Sequence, residues 1–148
     1  MMKLGLVSAI LPDESFESMI DYAMEYNLKG RNYGLIILVN QKQDRVVSTY
    51  GQEFSEKVMA AMGQKIVGVT GQTCAVARAK DAYFAVLTYT ASKDELEELA
   101  KKIEEELNGI NEVDGNSITP RMKAAVKLRT DEGITDENMY GEAMKEIE

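Results

Sequence analysis

Residues 73–89 read T-C-A-V-A-R-A-K-D-A-Y-F-A-V-L-T-Y, and this stretch decides the fold. It contains two strand-like runs, residues 73–78 and 83–89, separated by the short link Ala79-Lys80-Asp81-Ala82. Two short apolar runs rich in strand-forming residues, on either side of a brief polar link, are typical of a β-hairpin. The stretch therefore predicts two antiparallel strands with Lys80 and Asp81 at the turn.

Upstream of this hairpin, the sequence predicts another strand and a broken helix. Residues 33–39 form a nearly unbroken run rich in Leu, Ile and Val, as expected of a central strand covered on both faces. Residues 43 to about 69 then follow a helical pattern that is interrupted near Tyr50-Gly51. The predicted core side of this helix consists of Val58, Met59, Met62 and Val67.

An earlier helix is predicted to begin at Pro12 and Asp13, with Asp13 as its cap, and to end at residues 29–31. Apolar residues recur at helical spacing within it. This predicted buried stripe consists of Phe16, Met19, Ile20, Ala23 and Met24.

Downstream of the hairpin, the pattern predicts a helix, a strand and a final helix. Ser92 and Glu95 form a capping box at the first helix, and Gly109 ends it. Residues 121–129 alternate between apolar and mostly basic side chains, which predicts a half-exposed strand. Thr135 is predicted to cap the last helix. The residues expected to be buried are Leu96, Leu99, Ile103 and Leu107 in the helix, Met122, Ala124, Val126 and Leu128 in the strand, and Ile134 and Met139 as a hydrophobic staple.

The order of these elements predicts an α/β sandwich with a mixed sheet and helices packed on it. The 148 residues correspond to a single domain, residues 1–148, at roughly 100–200 residues per domain. No repeat, low-complexity tract or linker interrupts the chain, and no apolar run approaches the ~20 residues of a membrane-spanning helix. We also expect no signal peptide, and a cytoplasmic location.

Composition excludes several classes of function. The 17 Lys and Arg against 25 Asp and Glu give a net charge of −8, which disfavours nucleic acid and anionic membranes as partners. The chain contains no histidine, so Ser/His and Cys/His catalysis and imidazole-bound zinc are excluded. Its one cysteine, Cys74, excludes an intrachain disulfide and is interpreted as a small core residue.

The hairpin also resembles the signature hairpin of the GGDEF family of diguanylate cyclases. That family typically shows an arginine, one residue and then G-G-[D/E]-E-F; here Arg78 precedes Lys80-Asp81-Ala82-Tyr83-Phe84. Leu11-Pro12 resembles the family's T-G-L-P-N entry, and Tyr50-Gly51 its D-x-D-x-F-K-x-I-N-D-x-Y-G-H segment. The resemblance covers nearly the whole chain and implies a nucleotidyl-cyclase-like fold, related to the ferredoxin-like arrangement.

The same resemblance implies that the metal site is lost. The family joins two GTP molecules, a phosphoryl transfer that needs a divalent metal held by two acidic positions. Val39 stands at the first of these positions and Ala82 at the second, while Tyr83 replaces the neighbouring acid. Valine and alanine offer no hard oxygen ligand to Mg²⁺. Lys80 and Asp81 replace the two signature glycines, so a Cβ occupies space that the family keeps empty.

Recognition of the guanine base is also implied to be weakened. The base-reading Asn corresponds to Val47, and the later Asp corresponds to Glu56, which keeps a carboxylate on a longer side chain. The product-inhibition motif R-x-x-D would fall on Gly71 and Cys74 and is absent. Arg78 and Glu56 are therefore the remaining candidates for nucleotide binding.

The resulting hypothesis is a catalytically inactive GGDEF-like domain that serves as a regulatory interaction module of a larger bacterial signalling protein. Its expected partner is another protein, an adjacent domain or a second copy of the chain, and it needs no cofactor. One alternative is a receptor that binds GTP, with Mg²⁺, or cyclic di-GMP without turnover. A remote alternative is an active diguanylate cyclase.

Each polar residue at the hairpin also has a simpler structural interpretation. Asp81 is a favourable turn residue, and Lys80 can extend into solvent at the hairpin tip. In a negatively charged chain, Arg78 can form an ion pair instead of contacting a phosphate. Tyr83 places an aromatic ring at the rim of the former site, where it either fills the pocket or forms a contact surface.

Overall fold

The computed structural model describes residues 33–70, 74–79, 83–89, 92–135 and 138–147. In chain order its elements are β1 (Tyr33–Asn40), α1 (Gln43–Tyr50), α2 (Gln52–Thr70), β2 (Cys74–Ala79), β3 (Tyr83–Tyr89), α3 (Lys93–Asn108), β4 (Glu112–Val113), β5 (Asn116–Ser117), β6 (Met122–Leu128) and α4 (Met139–Ile147). The helix predicted from Pro12 lies outside the described residues. None of the described helices has the length and apolar character needed to cross a membrane.

In the described part of the chain, four strands form one sheet in the order β2-β3-β1-β6. All pairings between them are antiparallel, whereas the sequence predicts a mixed sheet. The reason is that β3 lies between β1 and β2. These two strands run in the same direction but are not hydrogen-bonded to each other. The predicted hairpin is confirmed, with Ala79 opposite Tyr83 at the end nearest the turn.

The two faces of the sheet are covered by different helices, which confirms the predicted α/β sandwich. Helices α2 and α3 cover one face and form what we call the α2–α3 core, which includes Ile36, Leu38, Val86, Met62 and Ile103. Helix α4 covers the other face and forms the α4 core, which includes Tyr33, Leu35, Ile37, Leu87 and Met139. Alternate residues of β1 enter the two cores, as the period of a strand dictates. This explains the unbroken apolar run at residues 33–39.

The predicted break in the long helix is confirmed at Gly51. This residue has a φ of +95°, a left-handed conformation that glycine adopts without steric cost. Its N–H donates to the Val47 carbonyl at 2.8 Å and so ends α1. Of the predicted core residues in α2, Val58, Met59 and Met62 are buried, while Val67 is only partly buried.

The predicted N-caps Ser92 and Thr135 are also confirmed, whereas Asp13 lies outside the described residues. The Ser92 hydroxyl accepts a hydrogen bond from the Glu95 N–H at 3.2 Å, as an N-cap does. The Thr135 hydroxyl accepts from the Asn138 N–H at 3.1 Å, and the Asn138 side chain accepts from the Thr135 N–H at 2.8 Å. Within α3, Ala100 is buried and Leu99 only partly so, which corrects the predicted stripe at that position.

Strand β6 is more buried than the sequence predicts. Its even-numbered apolar residues face the α2–α3 core as expected, but only Met122 and Leu128 are buried, while Ala124 and Val126 are partly buried. Ala125 on the opposite face is buried in the α4 core. The prediction of a half-exposed strand is therefore wrong, because α4 packs on the face that carries the basic side chains. Lys127 remains at the edge of this face, where it pairs with Glu146 at 2.6 Å.

The sequence reasoning missed the small hairpin formed by β4 and β5. Its turn, Asp114-Gly115, has positive φ angles of 53° and 85°. Asp-Gly is a strong signal for a two-residue hairpin turn, because both central residues must adopt a left-handed conformation. The two-residue strands on either side are too short to show a periodic pattern.

Candidate functional site

The carboxyl end of β1 holds the residue at which the resemblance implies a metal ligand. In the sheet register, Val39 lies opposite Tyr83 of β3 on one side and Lys123 of β6 on the other. Directly opposed residues on neighbouring strands place their Cβ atoms about 4.5–5.5 Å apart. Val39 and Tyr83 are both partly buried and pack against the α4 core. The fold thus brings two of the sequence-predicted site residues together in an apolar contact.

Phe84, the next residue of β3, belongs to the opposite face of the sheet. Its side chain is only 1% exposed and packs in the α2–α3 core. Since successive side chains of a strand alternate between faces, Tyr83 and Phe84 cannot both line one site. Phe84 is therefore a core residue that anchors the amino end of β3.

The turn itself lies outside the described residues, and with it Lys80, Asp81 and Ala82. The backbone of Arg78 pairs with Phe84 in the β2–β3 register, but its side chain also lies outside the described part of the chain. The proposed roles of these four residues stay predictions.

The two positions implied in base recognition lie on α1 and α2. Val47 is half-buried, while Glu56 is exposed and accepts a hydrogen bond from the Gln52 side chain at 3.2 Å. The helices that carry them meet at Gly51. The apolar side chain of Val47 therefore lies before this junction, and the exposed carboxylate of Glu56 lies after it.

A buried polar network lies immediately beside Val39, and the sequence reasoning missed it. The Asn40 side-chain oxygen accepts hydrogen bonds from the backbone N–H groups of Lys42 and Arg121, both at 3.0 Å. Its amide donates to the Gln43 side-chain oxygen at 2.8 Å. The Gln43 amide in turn donates to the Ser55 hydroxyl at 2.7 Å.

This network ties together three parts of the fold: the end of β1, the α1–α2 unit and the start of β6. Asn40, Gln43 and Ser55 are all buried, and buried polar groups are stable only when they are hydrogen-bonded. The network satisfies these groups internally and fixes the segment that follows β1. A sequence signal does exist, since Asn40 and Gln43 are polar residues directly after a buried strand, but their partners lie up to 81 positions away.

In the described part of the chain, no group of three or more cysteine and acidic residues is arranged to hold a metal ion.

The comparisons with known proteins decide the family. The family model described as "Diguanylate cyclase, GGDEF domain" matches residues 11–147. The chain belongs to the GGDEF family. This GGDEF domain has no match among curated proteins at the sequence level.

Solved structures share the fold of this GGDEF domain at low sequence identity. The FimX GGDEF domain from Pseudomonas aeruginosa superposes with a TM-score of 0.80 at 13% identity, covering 95% of this chain and 88% of that one. DgcB from Caulobacter crescentus, a coiled coil with a GGDEF domain in complex with cyclic di-GMP, gives 0.75 at 16% identity over 93% and 74%.

The diguanylate cyclase SiaD from Pseudomonas aeruginosa, in complex with its activator SiaC, superposes with a TM-score of 0.76 at 14% identity. The match covers 91% of this chain and 53% of SiaD. The chain therefore spans about half the length of that relative. At these identities the likeness establishes the fold and nothing finer.

Proposed function

We propose that this chain is a catalytically inactive GGDEF domain that acts as a regulatory interaction module in a larger bacterial signalling protein. The observation that carries the proposal is the environment of Val39. At the position implied to hold the metal, an apolar side chain packs into the α4 core directly beside Tyr83.

The chemistry of the family makes this position decisive. Phosphoryl transfer between two nucleotides requires a divalent cation that neutralises the charge developing on the transferred phosphate. Mg²⁺ takes carboxylates, phosphates and water as ligands. Val39 provides no such ligand, and Tyr83, its partner in the β1–β3 register, packs against the same apolar core.

The buried network supports a structural role for the segment after β1. The Asn40 oxygen is already used by two backbone N–H groups, and Gln43 is used by Asn40 and Ser55. Polar groups that satisfy one another inside the protein are not free to bind a nucleotide. In this proposal the former catalytic segment has become part of the scaffold.

The expected partner is a protein, an adjacent domain or a second copy of the chain. SiaD offers a precedent within the same fold, since that diguanylate cyclase was solved in complex with an activator protein. In this proposal, residues 1–148 form a single domain. The domain works in the cytoplasm as part of a longer protein. It would need no cofactor.

The alternative is a receptor that binds GTP or cyclic di-GMP without turnover. The exposed carboxylate of Glu56 favours it, since an acid on the surface of α2 can accept hydrogen bonds from the edge of a guanine base. DgcB, with the same fold, was solved with cyclic di-GMP. The half-buried, apolar Val47 opposes it, because it cannot read a base edge through hydrogen bonds.

Calorimetric titration of the purified chain distinguishes these functions. We expect no binding of GTP with Mg²⁺ and none of cyclic di-GMP. Micromolar binding of either ligand would overturn the interaction-module proposal in favour of the receptor. Formation of cyclic di-GMP from GTP would instead establish the remote alternative, an active cyclase.

A further inference from the structure

A cleft lies on the side of α1 that faces the loop after β5. It has a volume of about 350 Å³, within the range of pockets that hold small molecules. The α1 side contributes Lys42, Arg45, Val46, Thr49 and Tyr50, and the opposite wall is formed by Ser117, Ile118 and Thr119.

The cleft is positively charged although the protein as a whole is negative. Lys42 and Arg45 line it, and none of the described residues that line it is acidic. Neither cation forms a salt bridge among the described residues, whereas Lys57, Lys93 and Lys127 all pair with carboxylates. Two unpaired cations in a concave surface focus a positive potential that attracts an anion.

The remaining lining offers both hydrogen-bonding groups and apolar surface. The hydroxyls of Thr49, Ser117 and Thr119 have no hydrogen-bond partner in the described part of the chain. Val46 and Ile118 form an apolar floor and are 7% and 6% exposed.

Tyr50 provides a fixed aromatic wall. Its hydroxyl donates to the Ser117 carbonyl at 2.9 Å, and its ring packs against Phe54 with centroids 4.7 Å apart. The side chain is nevertheless 39% exposed. A ring held in place at both ends and open on one side can pack against a flat organic group.

The positions of the residues along α1 show how the cleft lies relative to Val47, the residue implied in base recognition. Lys42, Arg45 and Thr49 recur at intervals of three and four residues and so share one face of α1. Val47 lies two positions from both Arg45 and Thr49, which places it on the other side of the helix. The polar side of the cleft, formed by Lys42, Arg45 and Thr49, therefore lies on a different face of α1 from Val47.

We propose that this cleft binds a phosphate-bearing small molecule. Lys42 and Arg45 contact the phosphate, assisted by the free hydroxyls, and the organic part packs on Tyr50 and Ile118. A guanidinium beside an ammonium suits a phosphate because both form charge-assisted hydrogen bonds with its oxygens. This proposal does not depend on the interaction-module function. It gives the domain a small-molecule ligand in addition to a protein partner.

Phenyl phosphate is the appropriate probe, because it combines a phosphate with a flat ring. Titration of the intact, isotope-labelled chain, followed by amide chemical shifts, is expected to perturb residues 42–50 and 117–119 together. Inorganic phosphate should bind at the same place about tenfold more weakly, since it lacks the contact with Tyr50. Perturbation centred on Val47 and Glu56 instead, or no localised perturbation at millimolar probe, would overturn the proposal.

Charge variants with a matched control complete the test. Lys42→Gln with Arg45→Gln should weaken phenyl phosphate binding at least about tenfold. Lys101→Gln with Lys102→Gln removes the same charge from the exposed face of α3 and should leave affinity within about twofold. Thr119→Glu, at an exposed position, places an acid in the cleft and should also abolish binding. Equal weakening by both double variants would show that binding depends on the overall charge of the protein and not on this cleft. That result would contradict the proposal.

Discussion

Asn40 fixes the geometry of the segment that follows Val39. Its side chain makes three hydrogen bonds, two to backbone N–H groups and one to Gln43. The partners are the backbone N–H groups of Lys42 and Arg121 and the buried side chain of Gln43. A buried donor left without an acceptor costs about 1–3 kcal/mol.

Replacing Asn40 by alanine is therefore expected to destabilise the protein by about 2–4 kcal/mol, since several groups lose their partner at once. Urea unfolding monitored by circular dichroism measures the change. Asn111→Ala makes the same chemical change at an exposed position and should shift the free energy of unfolding by no more than about 0.5 kcal/mol. Equal effects of the two substitutions would show that the Asn40 network contributes little.

Packing between β1 and α3 depends on the absence of a side chain at Gly34. A Cβ built at this glycine would lie 2.6 Å from Leu96 Cδ2 and 2.8 Å from Leu96 Cδ1, closer than real contacts allow. Leu96 is itself fully buried in the α2–α3 core. The strand and the helix can approach only because residue 34 is glycine.

Gly34→Ala is accordingly expected to destabilise the protein by about 1–3 kcal/mol through overpacking. Gly68, in the last turns of α2, has open space around its Cβ position and is the matched control. Gly68→Ala should stabilise the protein by about 0.5–1 kcal/mol, because alanine has the higher helix propensity. In a Leu96→Ala background the cost of Gly34→Ala should largely disappear. Persistence of the full cost there would exclude Leu96 as its cause.

Asp131 links the start of α3 to the end of β6. Its Oδ2 accepts from Lys93 Nζ at 2.6 Å and from the Leu128 N–H at 2.9 Å. Partial burial alone would raise the pKa of Asp131, but these hydrogen bonds outweigh it and hold the pKa below the ordinary value of 3.8. A depressed pKa contributes stability that is complete above the unfolded-state value and is lost as the pH falls through the folded-state value.

Asp131→Asn should therefore destabilise the protein at pH 7, and the difference from the parent chain should shrink as the pH falls below about 4. Unfolding by urea at a series of pH values measures this. Asp94→Asn is a suitable control, because Asp94 is exposed and forms no salt bridge among the described residues. A difference between Asp131→Asn and the parent that does not vary with pH would mean that the carboxylate charge is irrelevant.

Local patterns predicted most of the elements because the signals that set them are local. The capping residues Ser92 and Thr135, the glycine at 51 and the apolar run of β1 each act within a few positions. What the patterns could not predict depends on residues far apart in sequence. Ala125 is buried because α4 folds back on β6, and one of the hydrogen bonds of Asn40 forms because Arg121 is adjacent in space.

At the scale of the whole molecule, the chain has the fold of a diguanylate cyclase. The apolar α4 core extends to Val39, the residue at which the family resemblance implies a metal ligand. The α4 core includes Val39 and Tyr83 at its margin, so the sheet ends in an apolar contact. The apolar side chains that are buried on both faces of the sheet stabilise the domain. A fold maintained in this way can serve as a scaffold for partners whatever its activity.

Restoring the acidic positions tests the assignment of the former site directly. Val39→Asp combined with Ala82→Asp and Tyr83→Glu is expected to create weak Mg²⁺ binding, because it supplies the carboxylate oxygens that this cation requires. Calorimetric titration with MgCl₂ measures the binding. The control carries Val39→Asn, Ala82→Asn and Tyr83→Gln, which have similar shapes and no charge, and it should give no heat. If the acidic triple variant folds and also gives none, Val39 and Ala82 do not correspond to the metal-binding positions of the family. The apolar contact between Val39 and Tyr83 would then have no bearing on catalysis.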